Sequence, residues 1–472
     1  MSFSDDFSFN RDYQKDVNEI KRKILVCKEY ISSGQIFNYL ETIEEGLHLC
    51  MEEDMPEDGI ELAEAVLSIA PYNSEFWQFK GIFLNTIFEF EEAYECLNKS
   101  LSLNPLDVET LLNKSITEEN LGLTDEAVNT LIEAIKIEPG NEEVLYNLGI
   151  IYERQENFVQ AIKYFKECLI IDDTYADAWY ELGYCHENLN NLNQALIAYD
   201  KFLDIDPYNA TGWYNKGIVQ IRLSEMEKAI SSFELAIAIK DNFSSAWFNC
   251  GVAYANLNKL NEALNAFQKA AEIEPYDEII WFNIGQIYED LNELQKAIQH
   301  YNKALELDRD FFEVYLARGS CYDSLGEYNS ALSDFNKAVS VSNESGDAWF
   351  AKADLEYSLG NLQNSIESYQ KAVSLDPQNF DVWYKLGEAY YEAGNYSRSS
   401  DCYDECLKIN AKHAKSFYGK AKIYIILEKT KEAFDCLKSA FELDPVIKNN
   451  FVRDYPEVKS SKFFSSLIEG TN

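Results

Sequence analysis

The chain of 472 residues is 46% hydrophobic and carries 81 acidic against 41 basic side chains, a formal net charge of −40. That is apolar material enough for a large core, and the composition excludes a disordered acidic tail. The charge also argues against nucleic acid, whose phosphates require a basic face. No run of about 18 apolar residues occurs, so no membrane insertion is expected. The opening "MSFSDDFSFN" lacks the basic and apolar regions of a secretory signal, so the expected location is cytoplasmic.

In chain order, residues 10 to 32 read as a helix with Tyr13, Val17, Ile20 and Ile24 on one face and the basic cluster Lys21, Arg22, Lys23 beside it. Then a period of 34 begins. All seven tryptophans (Trp77, Trp179, Trp213, Trp247, Trp281, Trp349, Trp383) are spaced by 34 or its multiples, and Leu111, Leu145, Tyr315 and Phe417 fill the gaps. Four positions on stands a small residue, Gly285 or its equivalents, and twelve further on a second, Ala297 or its equivalents. Bulky side chains follow from 97 to 437, and seven of the nine prolines share the closing slot. Small side chains let paired helices approach to about 8–10 Å, and proline stops the second helix of the pair.

The segment "WFNIGQIY…A…Y…A" at 281–304 resembles the signature of the tetratricopeptide repeat family. The resemblance covers eleven contiguous repeats, 74–447, with a worn copy at 40–73 that has Gly59 in an alanine slot. It implies an all-α, right-handed superhelical solenoid of antiparallel helix pairs. Residues 1–39 and 448–472 are then expected to be capping helices, the latter broken at Pro456 and carrying Phe463, Phe464 and Leu467, because a terminal repeat otherwise exposes its stacking face.

Catalytic chemistry is missing. The four histidines and ten cysteines form no zinc pattern, and no phosphate-binding loop or nucleophile elbow appears. No catalytic residue, cofactor or metal is expected, and the cysteines read as reduced packing thiols. Cys402 and Cys406 share a helical spacing, but Cys406 stands where Ala304 and Ala372 stand, which points to packing.

Binding residues are a different matter. In this family the first helix of each repeat lines the concave surface, so the side opposite Trp281, Gly285 and Tyr288 is expected to face a ligand. One slot there holds Asn113, Asn147, Asn215, Asn249 and Asn283. A carboxamide donates and accepts, and so can clasp the backbone of an extended peptide. The preceding slot holds Tyr146, Tyr180, Tyr214, Phe248 and Phe282, rings suited to anchoring a partner. A third, with Glu119, Glu153, Glu187 and Glu289, contributes to an acidic excess that favours a basic segment. The lysine with which related repeats clamp a chaperone tail is absent. The chain therefore reads as a non-enzymatic scaffold or adaptor for an extended protein segment; the alternative is a regulatory or assembly subunit acting through its ends or convex face.

Overall fold

The computed structural model describes the backbone of residues 5–455, with side chains from residue 19 onward except at 450 and 454. Tyr13 and Val17 fall before the described side chains, and Pro456, Phe463, Phe464 and Leu467 lie outside the described residues. Contacts divide the chain into two units, 1–241 and 242–472. Among the described residues every regular element is helical.

The first unit opens with α1 (Asp5–Ser32), whose Ile24 and Cys27 pack with Ile43, Leu47 and Leu62. Lys28 of α1 pairs with Asp58 at 2.6 Å and with Glu61, anchoring that helix by charge as well. Helices then follow in pairs of 13 and 14 residues. Those used below are α3 (Pro56–Ile69), α4 (Ser74–Thr86), α6 (Val108–Asn120), α8 (Glu142–Arg154), α10 (Ala176–Asn188), α11 (Leu192–Ile205) and α12 (Ala210–Arg222). In the second unit they are α14 (Ser244–Asn256), α16 (Glu278–Asp290), α17 (Leu294–Leu307), α18 (Phe312–Ser324), α19 (Tyr328–Val341), α23 (Tyr396–Ile409) and α24 (Ala414–Ile426). The last helix among the described residues is α26 (Pro445–Asp454), where the proline expected to close a helix opens one instead, its missing N–H costing nothing at a first turn.

Local chemistry starts and turns each pair. First helices are capped by Asn73, Asp107, Asn141, Asn209, Asp277, Ser345 and Asn379, whose side chains accept from a backbone N–H of the first turn. The turn inside each repeat passes through one left-handed residue, again at intervals of 34: Phe88, Gly122, Glu156, Asn190, Ser224, Asn258, Asn292, Gly326, Gly360, Gly394 and Glu428. Side chains raise the cost of that conformation by about 1 kcal/mol each, so packing of the flanking helices imposes it.

Packing follows the alternation of small and large. A Cβ on Gly285 would stand 2.4 Å from the Tyr301 ring, and one on Gly149 the same distance from Phe165, sixteen residues later in both cases. Tyr301 and Phe165 are wholly buried. Gly59 of the worn repeat is likewise closed over by Phe83. Nine of the ten cysteines are buried, all ten are free thiols, and the core of each unit takes most of them.

Three further regularities join the helices. The indole N–H of Trp77, Trp213, Trp281 and Trp383 donates to the carbonyl of the proline six residues earlier, at 2.9–3.0 Å, so each tryptophan fastens the loop preceding its own repeat. A basic side chain three residues after the tryptophan slot reaches an oxygen of the preceding helix, always sixteen residues back: Lys80 to Glu64 at 2.8 Å, Lys216 to Asp200 at 2.7 Å, Arg318 to Asn302 at 2.5 Å, and Lys420 to Asp404. Buried polar groups twelve residues apart satisfy each other within a repeat, Thr130 donating to Glu118, Ser232 to Gln220 and Ser368 to Glu356, each at 2.7 Å. In this last pattern His186 faces Ala198, which offers no polar atom; both its ring nitrogens are buried without a partner, and burial lowers its pKa.

His300 takes the second member of that pair and is sandwiched instead. Its ring stacks on Trp281 (centroids 5.7 Å, planes 11° apart) and Tyr288 (5.1 Å, 10°). Burial, with Lys303 adding to it, holds its pKa down to about 4. A histidine neutral when folded and titrating near 6.5 when unfolded stabilises the fold above that value, and the contribution is lost as pH falls from 6.5 through 4. A His300→Tyr variant, copying Tyr164 stacked on Tyr152 at 5.5 Å, is expected to gain about 1–2 kcal/mol on its parent over that interval. Denaturation midpoints at pH 7, 5.5 and 4 measure it; a constant difference would show that His300 titrates normally.

Candidate peptide-binding groove

The candidate residues lie on first helices. In the first unit, α6 carries Asn113 and Glu119, α8 Tyr146, Asn147 and Glu153, α10 Tyr180 and Glu187, and α12 Tyr214 and Asn215; in the second, α14 carries Phe248 and Asn249, and α16 Phe282, Asn283 and Glu289. All fourteen are half-buried, the state of side chains at the margin between packing and solvent.

The asparagines are held within the fold. Asn113, Asn147, Asn249 and Asn283 each donate Nδ2 to the carbonyl four residues back in their own helix, at 2.8–2.9 Å. That bond fixes the amide plane and leaves the carboxamide oxygen directed away from the helix backbone. Asn215 differs, donating to the Tyr180 hydroxyl on the preceding first helix at 2.9 Å. The ladder thus combines both roles open to this slot: four members turn back on their own helix and one ties two repeats together.

The aromatic row does more folding work than its spacing suggests. Tyr146 packs on Phe165 and Tyr175, Tyr180 on Tyr199 and Phe202, Tyr214 on Phe233, and Phe248 on Phe267, with centroids 5.0–6.0 Å apart. Phe282, expected to face a ligand, lies against Tyr301 at 5.9 Å and Phe311 at 5.1 Å. Each ring fills the gap between its own second helix and, where a bulky residue opens the next repeat, that residue too. Part of the surface of each ring is left for a partner.

The carboxylates are individually tied. Glu119 pairs with Arg154, and Glu187 with Arg222 at 3.2 Å, both arginines coming from the next first helix. Lys385, another of the few bases on this face, pairs with Asp354 at 3.2 Å. The acidity of the face is therefore partly answered from within. Glu153 meets no such arginine: burial raises its pKa and a hydrogen bond joins it to Glu181. Burial, and then the neighbouring Glu153, raise the pKa of Glu181 well above the usual carboxylate range. In the second unit Glu289 accepts from the Tyr301 hydroxyl at 2.7 Å and helps line a cavity of about 360 Å³ with Asn283, Gln286, Asp290, Val252 and Phe267. Sequence spacing identified the rows but missed the arginines 35 residues on, although both stand one position beyond the glutamate slot.

Tandem pairs of 13- and 14-residue helices at a 34-residue period, with first helices exposing one polar face, define a helical-repeat array of the class that serves as a protein–protein interaction scaffold. Tetratricopeptide repeat models match residues 142–175, 244–277 and 279–311, 176–209 and 380–413, and 210–243, 312–345 and 414–447; a further TPR repeat model matches 353–394. The chain belongs to the tetratricopeptide repeat family. Among solved structures it is similar to YrrB, described as a TPR protein with an unusual peptide-binding site, at 26% identity over 39% of this chain and 94% of that one, TM-score 0.36. It is also similar to MamA from Desulfovibrio magneticus RS-1 (23% identity, 36% of this chain and 96% of that, TM-score 0.35) and to a chain of the APC/C hetero-tetramer Cut9–Hcn1 (17%, 90% and 95%, TM-score 0.39). No curated protein matches it. No helix among the described residues is long and apolar enough to cross a membrane.

Proposed function

We propose that the chain is a non-enzymatic cytoplasmic scaffold that holds an extended basic or amphipathic protein segment along its first helices, with residues 1–39 and 448–472 acting as caps to eleven repeats at 74–447 and a worn one at 40–73. The observation that carries this reading is the half-buried row of carboxamides beside carboxylates. Nδ2 of Asn113, Asn147, Asn249 and Asn283 is engaged within the helix, which pre-orients an acceptor for backbone N–H groups at little entropic cost on binding. The acidic excess of the same face selects against acidic segments and nucleic acid.

The test is selection from a library of extended twelve-residue peptides on the intact protein. A variant with Asn215, Asn249 and Asn283 replaced by alanine is expected to bind the selected peptides about tenfold or more weakly, through loss of two or more hydrogen bonds at about 0.5–1.5 kcal/mol each, while losing no more stability than the single Asn215–Tyr180 bond contributes, about 0.5–1.5 kcal/mol. Undiminished binding would move the search to the outer face and the ends, as a regulatory or assembly subunit requires.

A further inference from the structure

We propose that Glu289 and Asn292 form a recognition site for one arginine side chain of the bound segment, an inference that rests on the groove reading above. The chain contains its own template for such a site. In the first unit Arg222 donates from Nη1 to a carboxylate oxygen of Glu187 (3.2 Å) and to the Glu187 carbonyl (3.4 Å), and from Nη2 to the side-chain oxygen of Asn190 (3.0 Å). The other carboxylate oxygen accepts from the Tyr199 hydroxyl at 3.3 Å, which fixes the rotamer. One guanidinium is thus read by three acceptors on a helix end and its turn.

Three repeats later, at +102, each acceptor recurs. Glu289 replaces Glu187, Asn292 replaces Asn190 and Tyr301 replaces Tyr199. The backbone follows the same path: φ is 58° at Asn190 and 60° at Asn292, and their amides donate to the Glu187 and Glu289 carbonyls at 2.9 and 2.8 Å. Tyr301 holds the Glu289 carboxylate at 2.7 Å, and the Cys321 thiol lies against the same group. What changes is the donor. Thirty-five residues after Glu187 stands Arg222; thirty-five after Glu289 stands Ser324, whose side chain has no cation and cannot span the distance an arginine does.

Glu289 also borders the 360 Å³ cavity between α14 and α16, beside Asn283 and Asp290, which links the carboxylate to the carboxamide ladder. The guanidinium position itself is the one that Arg222 marks, over the end of the first helix and its turn, with Glu289 and Asn292 as acceptors. Arginine fits better than lysine because its planar fork addresses carboxylate and amide oxygens together, whereas an ammonium acts as a compact point charge.

The experiment uses the full chain and the same random peptide library. Peptides retained by the parent are expected to share an arginine at one position. Replacing that arginine by citrulline, a neutral isostere, is expected to weaken binding about 10- to 100-fold, the range of a charge-assisted hydrogen bond, and Glu289→Gln to weaken it comparably. Ser324→Arg, which supplies the guanidinium from within as Arg222 does, is expected to block the arginine peptides while melting no lower than the parent. Peptides that depend on Asn283 yet show no arginine preference, or that bind Ser324→Arg undiminished, would overturn the arginine site and leave the groove standing. Retention of no peptide at all would overturn both. Should Ser324→Arg fold poorly, the citrulline comparison and Glu289→Gln decide the matter alone.

Discussion

Replacing Arg318 by alanine is expected to destabilise the second unit by about 3–5 kcal/mol, the cost of leaving a buried charge without its counter-ion. Nε and Nη2 of Arg318 each lie 2.7 Å from a carboxylate oxygen of Asp334, a side-on pair, and Nη1 reaches Asn302. One guanidinium thereby joins α17, α18 and α19, with the rings of Tyr315 and Tyr322 at 5.6 and 5.9 Å. Asp334 is only 5% exposed, so Arg318 and not water answers its charge in the parent. The control is Arg318→Met with Asp334→Leu, which removes both charges and is expected to recover most of the loss. Thermal denaturation, with amide exchange across 294–341, measures both. A loss below 1 kcal/mol for the single variant would mean that the pair is solvated and the helices are held by apolar contacts alone.

Gly285→Val is expected to cost about 3 kcal/mol or more, at the upper end of overpacking penalties. Added methyl groups would enter the space of the Tyr301 ring, which lies within 2.5 Å of an ideal Cβ at two of its atoms and has no exposed side to move toward. Alanine is a milder case, because Ala353 occupies the equivalent slot opposite Tyr369 and both are buried. A ring can therefore shift for one carbon, and the gain in helix propensity of about 1 kcal/mol offsets part of the clash. Gly285→Ala is expected within about 1 kcal/mol of the parent. Equal melting points for the alanine and valine variants would show that the helix pair opens freely at this point.

The fold was legible because its determinants repeat. A small residue at 285, a bulky one at 301 and a tryptophan at 281 carry little information singly, but their recurrence at one interval identifies the helix pair and its packing face. The candidate site was legible only as rows. Spacing placed Asn283 and Glu289 on the face away from Gly285, yet it could not distinguish a side chain that reaches outward from one that returns to its own helix. That choice depends on neighbours sixteen to thirty-five residues distant, as with Tyr180 for Asn215 or Arg154 for Glu119. The aromatic row was read too generously for the same reason: Phe282 is the right type for an anchor, but Tyr301 and Phe311 claim most of its surface. The ties sixteen residues apart went unread because their slot alternates between Lys216 and apolar residues such as Ile284, so no single residue type marks it. The pairing of Lys216 with Asp200 was nonetheless written in the sequence, as an acid sixteen positions before Lys80, Lys216 and Lys420, with Asn302 in that place before Arg318.

The bond from a tryptophan to the carbonyl six residues earlier, a proline's for Trp77, Trp213, Trp281 and Trp383, bears on how the chain is made. A loop emerging from the ribosome is secured by a side chain synthesised only six residues later, and the helix pair that follows packs on the pair already formed. Contacts of this range demand little loop closure, so successive repeats can settle in the order of translation, each acting as the template on which its successor docks. Interrupted synthesis would then leave a shorter folded array with one exposed stacking face, rather than an unfolded chain.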